Sequence, residues 1–450
     1  MSLHGDRTRG RLPRGPHGLK PEEVAADQRE RLTEAMVHLA GERGYAATTV
    51  GDLIERAEVS RKTFYAHFAD RRDLLLAAFD ATSPAALKEL TAATRRSGGA
   101  TRQLESLTGR LCRLARESPG TIALSTVEIA AVEPDGLERR DRLIGDYGEL
   151  VDCCLRGDSP MPALPPTVAR ALAGGAFRSV DAAIRAGRTG ELKSLAAQLA
   201  RWTRLHHPVP PTLTNRPNGG SASKATASLV GGRAPGTLAI APGDHESLIG
   251  RPSRGFMSHL NRERILDAVA QLTAANGYTA LTAQGIAEHA DLSERAFLAH
   301  FKNKDDAFVA AVELGHAKGQ AIVDRARASE SDWRTGVRYA IEALLDFFAS
   351  EPCFTRLAFV DAPLAGPAMA RRVHEHAAAY ARLLLDGAPQ RRRPPRIAPE
   401  AATQGLFEIA FHHAARRKVA ELPGVAHEAC YLALAPFVGV SEAAQTAVAA

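Results

Sequence analysis

The chain is 450 residues long, 45% hydrophobic and 24% charged, an ordinary make-up for a globular protein of two to four domains at roughly 100–200 residues each. Aromatics are only 5%, which favours helical cores of Ala, Leu and Val over an aromatic-rich β-sandwich. No stretch approaches the ~18 unbroken apolar residues of a membrane helix, and no apolar segment follows the basic N-terminus as a secretory signal would require. Five cysteines at irregular spacing, without a C-x-x-C, fit neither a disulfide framework nor a zinc ribbon. The expectation is an all-α protein of the reducing cytoplasm with no membrane partner.

In chain order, residues 1–24 read as a basic disordered arm. Over residues 1–20, Arg7, Arg9, Arg11, Arg14 and Lys20 stand against a single acid, Asp6, within a chain of formal charge +6. Such an arm suits a nucleic-acid partner, and a solvated tail accounts for it equally well. Leu32, Ala35, Met36 and Leu39 then fall on one face of a helix, which Gly44 ends. Thr49 caps a second helix with Asp52 as its capping-box partner. Ser60 caps a third across a turn at Glu58-Val59, and Asp70 with Asp73 opens a long fourth helix through Leu74, Leu75 and Phe79. A packing helix followed by two short helices across a tight turn is a helix-turn-helix unit, assigned to residues 25–72. Amphipathic helices fill residues 73–206. Residues 207–257, rich in Gly, Pro, Ser and Thr, read as a flexible linker.

The pattern then begins again. RERLTEAMVHLAGERGYAATTV from Arg29 aligns without a gap with RERILDAVAQLTAANGYTALTA from Arg262, at a constant offset of 233. Gly44 matches Gly277, Ser60 matches Ser293, and His67-Phe68 matches His300-Phe301. Farther on, GAFRSVDAAIRAGRTGELKSL echoes GLFEIAFHHAARRKVAELPGV. The chain is one two-part unit written twice, with a second helix-turn-helix at 258–305 and a second helical body at 306–450.

The segment GYAATTVGDLIERAEVSRKTFYAHFADRRDLL resembles the N-terminal DNA-binding domain of the TetR family of bacterial transcriptional regulators. In both copies the resemblance implies a helix-turn-helix followed by a helical ligand-binding and dimerisation domain. The residue chemistry agrees. The N-terminus at Ser60 offers free N–H groups to a phosphate, and Arg61, Lys62 and Thr63 are placed to reach base edges in the major groove. By resemblance Tyr65, His67, Thr49 and Arg71 would bond backbone phosphates, which sets register rather than sequence. Phe64 and Phe68 would pack inward.

The second copy departs where the chemistry matters. Glu294, Arg295, Ala296 and Leu298 replace Arg61, Lys62, Thr63 and Tyr65, so a phenol gives way to a side chain that cannot donate to a phosphate. Thr282, Arg295, His300 and Lys304 remain usable for phosphate contact. From His289 to Asp306 three Lys or Arg face four Asp or Glu, against five and two from Arg56 to Arg72. A weakened second domain is expected. Glu58 and Asp291 stand where the family commonly has a small turn glycine.

No G-x-S-x-G, phosphate loop or dinucleotide motif occurs, so neither an enzyme nor a cofactor is expected. His374 with His376, and the neighbours His412-His413 and His206-His207, diverge around a helix and cannot chelate together. No metal is expected. Cys153-Cys154 reads as a pair of small hydrophobes, and the RRRPPR run from Arg391 as a solvated loop.

The resemblance further implies an effector pocket in each body. Trp333, Phe347, Phe354, Tyr380 and Phe411 are its candidate lining in the more aromatic second body, with core packing as the alternative. It also implies a four-helix bundle, from about Pro165–Ala186 with Glu191–Leu205 and Ala398–Ala420 with Val425–Val438. The expected partners are operator DNA and a small-molecule effector. The tether favours an intramolecular pseudo-dimer, with further oligomerisation left open. A rival reading is a helical small-molecule-binding or enzymatic protein with degenerate DNA-binding domains, or an activator of the same family.

Overall fold

The apolar spacing noted above becomes helix throughout the described residues of this computed structural model, which are 20–95, 98–157, 161–214, 254–389 and 392–449. The first half runs α1 Pro21–Arg43, α2 Val50–Arg56, α3 Arg61–His67, α4 Arg71–Arg95, α5 Ala100–Glu117, α6 Pro119–Thr126, a 3-10 turn Glu128–Ala131, α7 Asp135–Arg156, α8 Pro166–Arg185 and α9 Leu192–Arg204. After the short α10, Pro211–Thr214, the second half repeats the order as α11 Arg254–Asn276, α12 Ala283–His289, α13 Glu294–Leu298, α14 Lys304–Ala328, α15 Trp333–Ser350 and α16 Pro352–Arg356. A π-turn at Leu357–Asp361 leads into α17 Ala362–Leu364, α18 Pro367–Leu385, α19 Ala398–Ala415, α20 Ala426–Val438 and α21 Val440–Val448.

Four boundaries differ from the sequence reading. Helix α1 starts at Pro21 rather than after residue 24, because Pro suits a first helical position and Glu23 accepts the Lys20 N–H at 2.9 Å. The rest of the arm lies outside the described residues. The linker assignment also gives way at both ends. Val209 and Leu213 are buried and α10 packs on α21, while α11 already begins at Arg254. Residues 215–253 lie outside the described set. Helix α19 stops at Ala415, where Arg417 takes a positive φ of 56°, and the sequence reading had no counterpart for α21.

The first helix-turn-helix has its own small core, with Leu32, Leu53, Phe64, Phe68, Leu74 and Leu75 all buried. It is seated on its body where α1 crosses α6. A Cβ on Gly41 would stand 2.5 Å from Gly120 Cα, so the two backbones touch only because both positions lack side chains. The second helix-turn-helix shares one continuous core with its body, and that core runs on into the body of the first half.

The halves meet face to face, chiefly α8 on α19. Two glycines permit it symmetrically. A Cβ on Gly175 would meet the Ala401 carbonyl at 2.7 Å, and one on Gly405 would meet the Ala171 carbonyl at 2.9 Å. Both relations carry the same offset of 230 in sequence, so the two halves are related by a local two-fold axis. Beside this crossing, His206 Nε2 lies 3.0 Å from the Leu432 carbonyl, and Tyr431 Oη donates to the His206 carbonyl at 2.6 Å.

Candidate nucleic-acid interface

Helix α3 is held at its start by Ser60, whose Oγ accepts from Thr63 N at 3.0 Å. Phe64 and Phe68 anchor its inner side in the core. This leaves Arg61, Lys62 and Tyr65 outward, with Tyr65 52% exposed and none of the three holding a polar partner among the described residues. The turn before the helix passes through Glu58 at φ 49°, the left-handed conformation that a glycine would reach at less cost. Arg31 braces that turn by donating to the Ala57 carbonyl at 2.9 Å.

Other expected contacts have internal partners. Thr49 Oγ1 donates to Asp52 at 2.6 Å and accepts from Asp52 N at 3.2 Å. That hydrogen bond and the nearby Arg43 hold the Asp52 carboxyl below its ordinary range. His67 Nε2 meets Gln28 Oε1 at 3.0 Å. Arg71 donates to the carbonyls of Tyr45 and Thr48 while its guanidinium stacks 4.8 Å over the Tyr45 ring. These three side chains brace the unit that presents α3.

In the second copy Thr282 caps α12 and Ser293 caps α13. The helix α13 ends at Leu298, so His300 lies beyond it in a turn. Leu298 is 53% exposed, the same presentation as Tyr65 without the phenol. Arg295 is exposed. Lys304 lies 5.0 Å over the Tyr278 ring, repeating the Arg71–Tyr45 pair. Asp291 takes φ 54° and pairs with Arg264 at 3.1 Å, which stands where Arg31 does in the first copy. Sequence reading had not singled out Tyr45, Tyr278, Arg31 or Arg264, although each recurs at the repeat offset.

A buried charge cluster joins the two bodies. Arg140 donates to both oxygens of Glu408, at 2.9 and 2.7 Å, and to the Thr126 carbonyl at 2.7 Å, with its guanidinium 3.7 Å above the Phe411 ring. Burial alone would raise the Glu408 carboxyl, but Arg140 and Arg178 reverse this and hold it at about 2. Nearby, Asp181 bonds Arg185 and His374, and His412 Nδ1 lies 2.8 Å from Asp141. Burial pushes the Glu128 carboxyl up to about 7 although it accepts the Tyr45 N–H at 2.8 Å. Asp361, its counterpart in the repeat, is likewise raised by burial to about 7.

The second body holds a small apolar cleft, open at its mouth, between α14, α15, α18 and α19. Tyr380 lines it together with Ile341, Leu344, Phe348 and Phe407, and Arg327 stands at the polar side. The other candidates fall elsewhere. Phe411 lies under Arg140 at the junction, Trp333 packs 5.5 Å from Phe437, and Phe347 and Phe354 pack on each other at 5.8 Å. Among the described residues no group of three His, Cys, Asp or Glu is placed to hold a metal, and no helix is long and apolar enough to cross a membrane.

The family model described as bacterial regulatory proteins, tetR family, matches twice, over residues 32–78 and 265–311. A search of curated proteins finds no match. Among solved structures, the transcriptional regulator FadR from Bacillus subtilis in complex with stearoyl-CoA is 16% identical, covering 38% of this chain and 97% of its own, with a TM-score of 0.33. FadR from Bacillus halodurans is 14% identical over 38% and 94%, with a TM-score of 0.34. The reduced form of NemR from E. coli is 18% identical over 38% and 95%, also at 0.34. With one family match on each helix-turn-helix, and each followed by a helical body, the chain carries two TetR-type helix-turn-helix units in tandem.

Proposed function

We propose that the chain is a cytoplasmic, ligand-responsive repressor that grips operator DNA as an intramolecular pseudo-dimer with unequal halves. The observation that carries this reading is the contrast between α3 and α13. Two outward faces of the same presentation bear Arg61, Lys62 and Tyr65 in one copy and Glu294, Arg295 and Leu298 in the other. Arg61, Lys62 and Thr63 read bases in one half-site, and Tyr65 bonds its backbone. Thr282, Arg295, His300 and Lys304 supply sequence-neutral phosphate contact in the other.

The packing of α8 on α19 supports pairing within the chain, and the apolar cavity beside Tyr380 supports an apolar effector. An effector releases DNA only by binding more tightly to the state whose domains are wrongly spaced. Footprinting on DNA upstream of the protein's own gene, with single half-site substitutions, tests the reading. One half-site should be strongly sensitive and the other tolerant. Equal sensitivity in both halves would remove the division of labour.

A further inference from the structure

The seats of the two DNA-binding domains touch each other. The first domain rests on the stretch from the 3-10 turn Glu128–Ala131 to the start of α7. Glu128 accepts the Tyr45 N–H there. Arg72, at the start of α4, donates to the Glu133 carbonyl at 3.4 Å and pairs with Asp135. In the second half, α11 packs on α16 and on the π-turn Leu357–Asp361. These two supports meet between the halves, where α17 packs on the 3-10 turn and Arg356, at the end of α16, donates to the Glu133 carboxylate. Pro367 also lies against the end of α1, where a Cβ on Gly44 would stand 3.7 Å from its Cδ.

The bridge is well set and occurs once. Arg356 is only 7% exposed, and its Nε stands 3.5 Å from Asp361. Burial pushes that carboxyl up to about 7, which leaves Glu133 as the stronger counter-charge. Over the offsets from 230 to 233 that relate the halves, residues 363–366 match Glu133 and residues 123–126 match Arg356, and none of these is charged. Asp305, the match of Arg72, accepts from Tyr278 Oη at 2.8 Å within its own half. A Cβ on Gly277, the match of Gly44, would meet nothing within 4 Å. The first domain is thus tied to the opposite half through Arg72, the Glu133–Asp135 segment and Arg356, and the second domain has no equivalent of this tie among the described residues.

We propose that Glu133 and Arg356 are positioning residues for DNA binding, whose ion pair straps the first helix-turn-helix to the second half and so sets the spacing of α3 relative to α13. Neither residue has to touch DNA for this. Two domains already held at one spacing lose little further freedom on binding, and they discriminate against half-sites set at any other. With the strap broken, the first domain is free to rock on its Gly41–Gly120 crossing. The effect on DNA rests on the reading that both domains engage one duplex; the strap itself does not.

The spacing is measured in the full-length protein without DNA, by double electron–electron resonance between nitroxides carried on a ketone-bearing amino acid at positions 65 and 298. Both positions are half exposed, at 52% and 53%, and the native thiols stay in place. The otherwise unsubstituted protein should give one narrow distance. Glu133→Gln, which keeps the size and removes the charge, and Arg356→Met should each replace it with a broad distribution. Glu89→Gln, which breaks an ion pair to Arg110 inside the first body, should leave it narrow. Glu133→Gln decides the matter if Arg356→Met fails to fold, because Glu133 is the more exposed partner. On the footprinted operator with one base pair inserted between the half-sites, the wild type should bind about tenfold or more weakly, and Glu133→Gln should lose only about threefold or less. An unchanged narrow distance in Glu133→Gln, a broad distribution in the unsubstituted protein, or equal broadening in Glu89→Gln would each overturn the strap. A Glu133→Gln protein that loses as much as the wild type on the lengthened operator would overturn its role in DNA binding. A wild type indifferent to the insertion would overturn the shared-duplex reading, and a narrow distance lost in Glu133→Gln would still establish the strap.

Discussion

Replacing Glu408 by glutamine should loosen the joint between the two halves more than any other single change. Glu408 is fully buried and accepts from Arg140 on both oxygens and from Arg178 on one. Glutamine keeps the size but leaves two guanidiniums without a counter-charge in a dry interface, a loss of about 3–5 kcal/mol for a broken buried pair. The depressed carboxyl gives the same scale. Lying at about 2 rather than the ordinary 4.5, it contributes roughly 3 kcal/mol at about 1.4 kcal/mol per unit. Because the folded value is the lower one, that contribution is present above the unfolded value and fades as pH falls toward 2. Urea unfolding followed by near-ultraviolet dichroism, with scattering to report separation of the halves, measures it at neutral pH. Glu408→Gln should lower the midpoint and split one transition into two. Replacing Arg140, Arg178 and Glu408 together by Met, Met and Leu should recover most of the loss, since apolar substitutes remove the burial penalty of all three charges. A Glu408→Gln protein that unfolds with unchanged midpoint and slope would refute the reasoning.

Lys62→Ala and Tyr65→Phe should each weaken operator binding, by about 1–3 kcal/mol for a base contact and less for a phosphate contact. Wild-type affinity should fall linearly with the logarithm of salt. Gel-shift titration checks both, and unchanged binding in both variants would remove α3 from the interface. Leu298→Tyr combined with Glu294→Lys should tighten binding chiefly at the tolerant half-site, seen by footprinting. Glu128 carries the opposite pH sign to Glu408. Its folded value, about 7, lies above the unfolded one, so stability declines as pH rises from about 4.5 to 7 and is level beyond. Glu128→Gln should flatten that decline and gain roughly 1–3 kcal/mol at pH 8, read from unfolding midpoints across the pH range.

Local structure was legible from local chemistry. Gly44, Thr49 with Asp52, and Ser60 mark helix ends because each satisfies backbone groups within three or four residues, and the structure places all of them at those ends. Glu58 and Asp291 stand where the resembled family commonly has a turn glycine, and both take a positive φ. What escaped depends on distant partners. Arg71 looks in sequence like a free cation, yet its carbonyl acceptors lie more than twenty residues earlier. Phe411 is a candidate pocket aromatic in sequence, and nothing local says that Arg140 from the other half lies over it. The Arg178–Glu408 pair was visible only as a mismatch between two otherwise similar lines, and nothing local says that the two residues meet.

That mismatch limits which pairings the two halves allow. Arg178 and Glu408 occupy matching places in the two echoing segments, GAFRSV and GLFEIA. Two copies of the first half, brought together by the same crossing, would press Arg178 against Arg178. Two copies of the second half would press Glu408 against Glu408, with no Arg140 to receive it. Either arrangement buries like charges, which costs far more than the joint gains. By dividing one ion pair between its parts, the chain has made each part a poor mate for itself. Separated halves should therefore pair with each other in preference to a second copy of themselves.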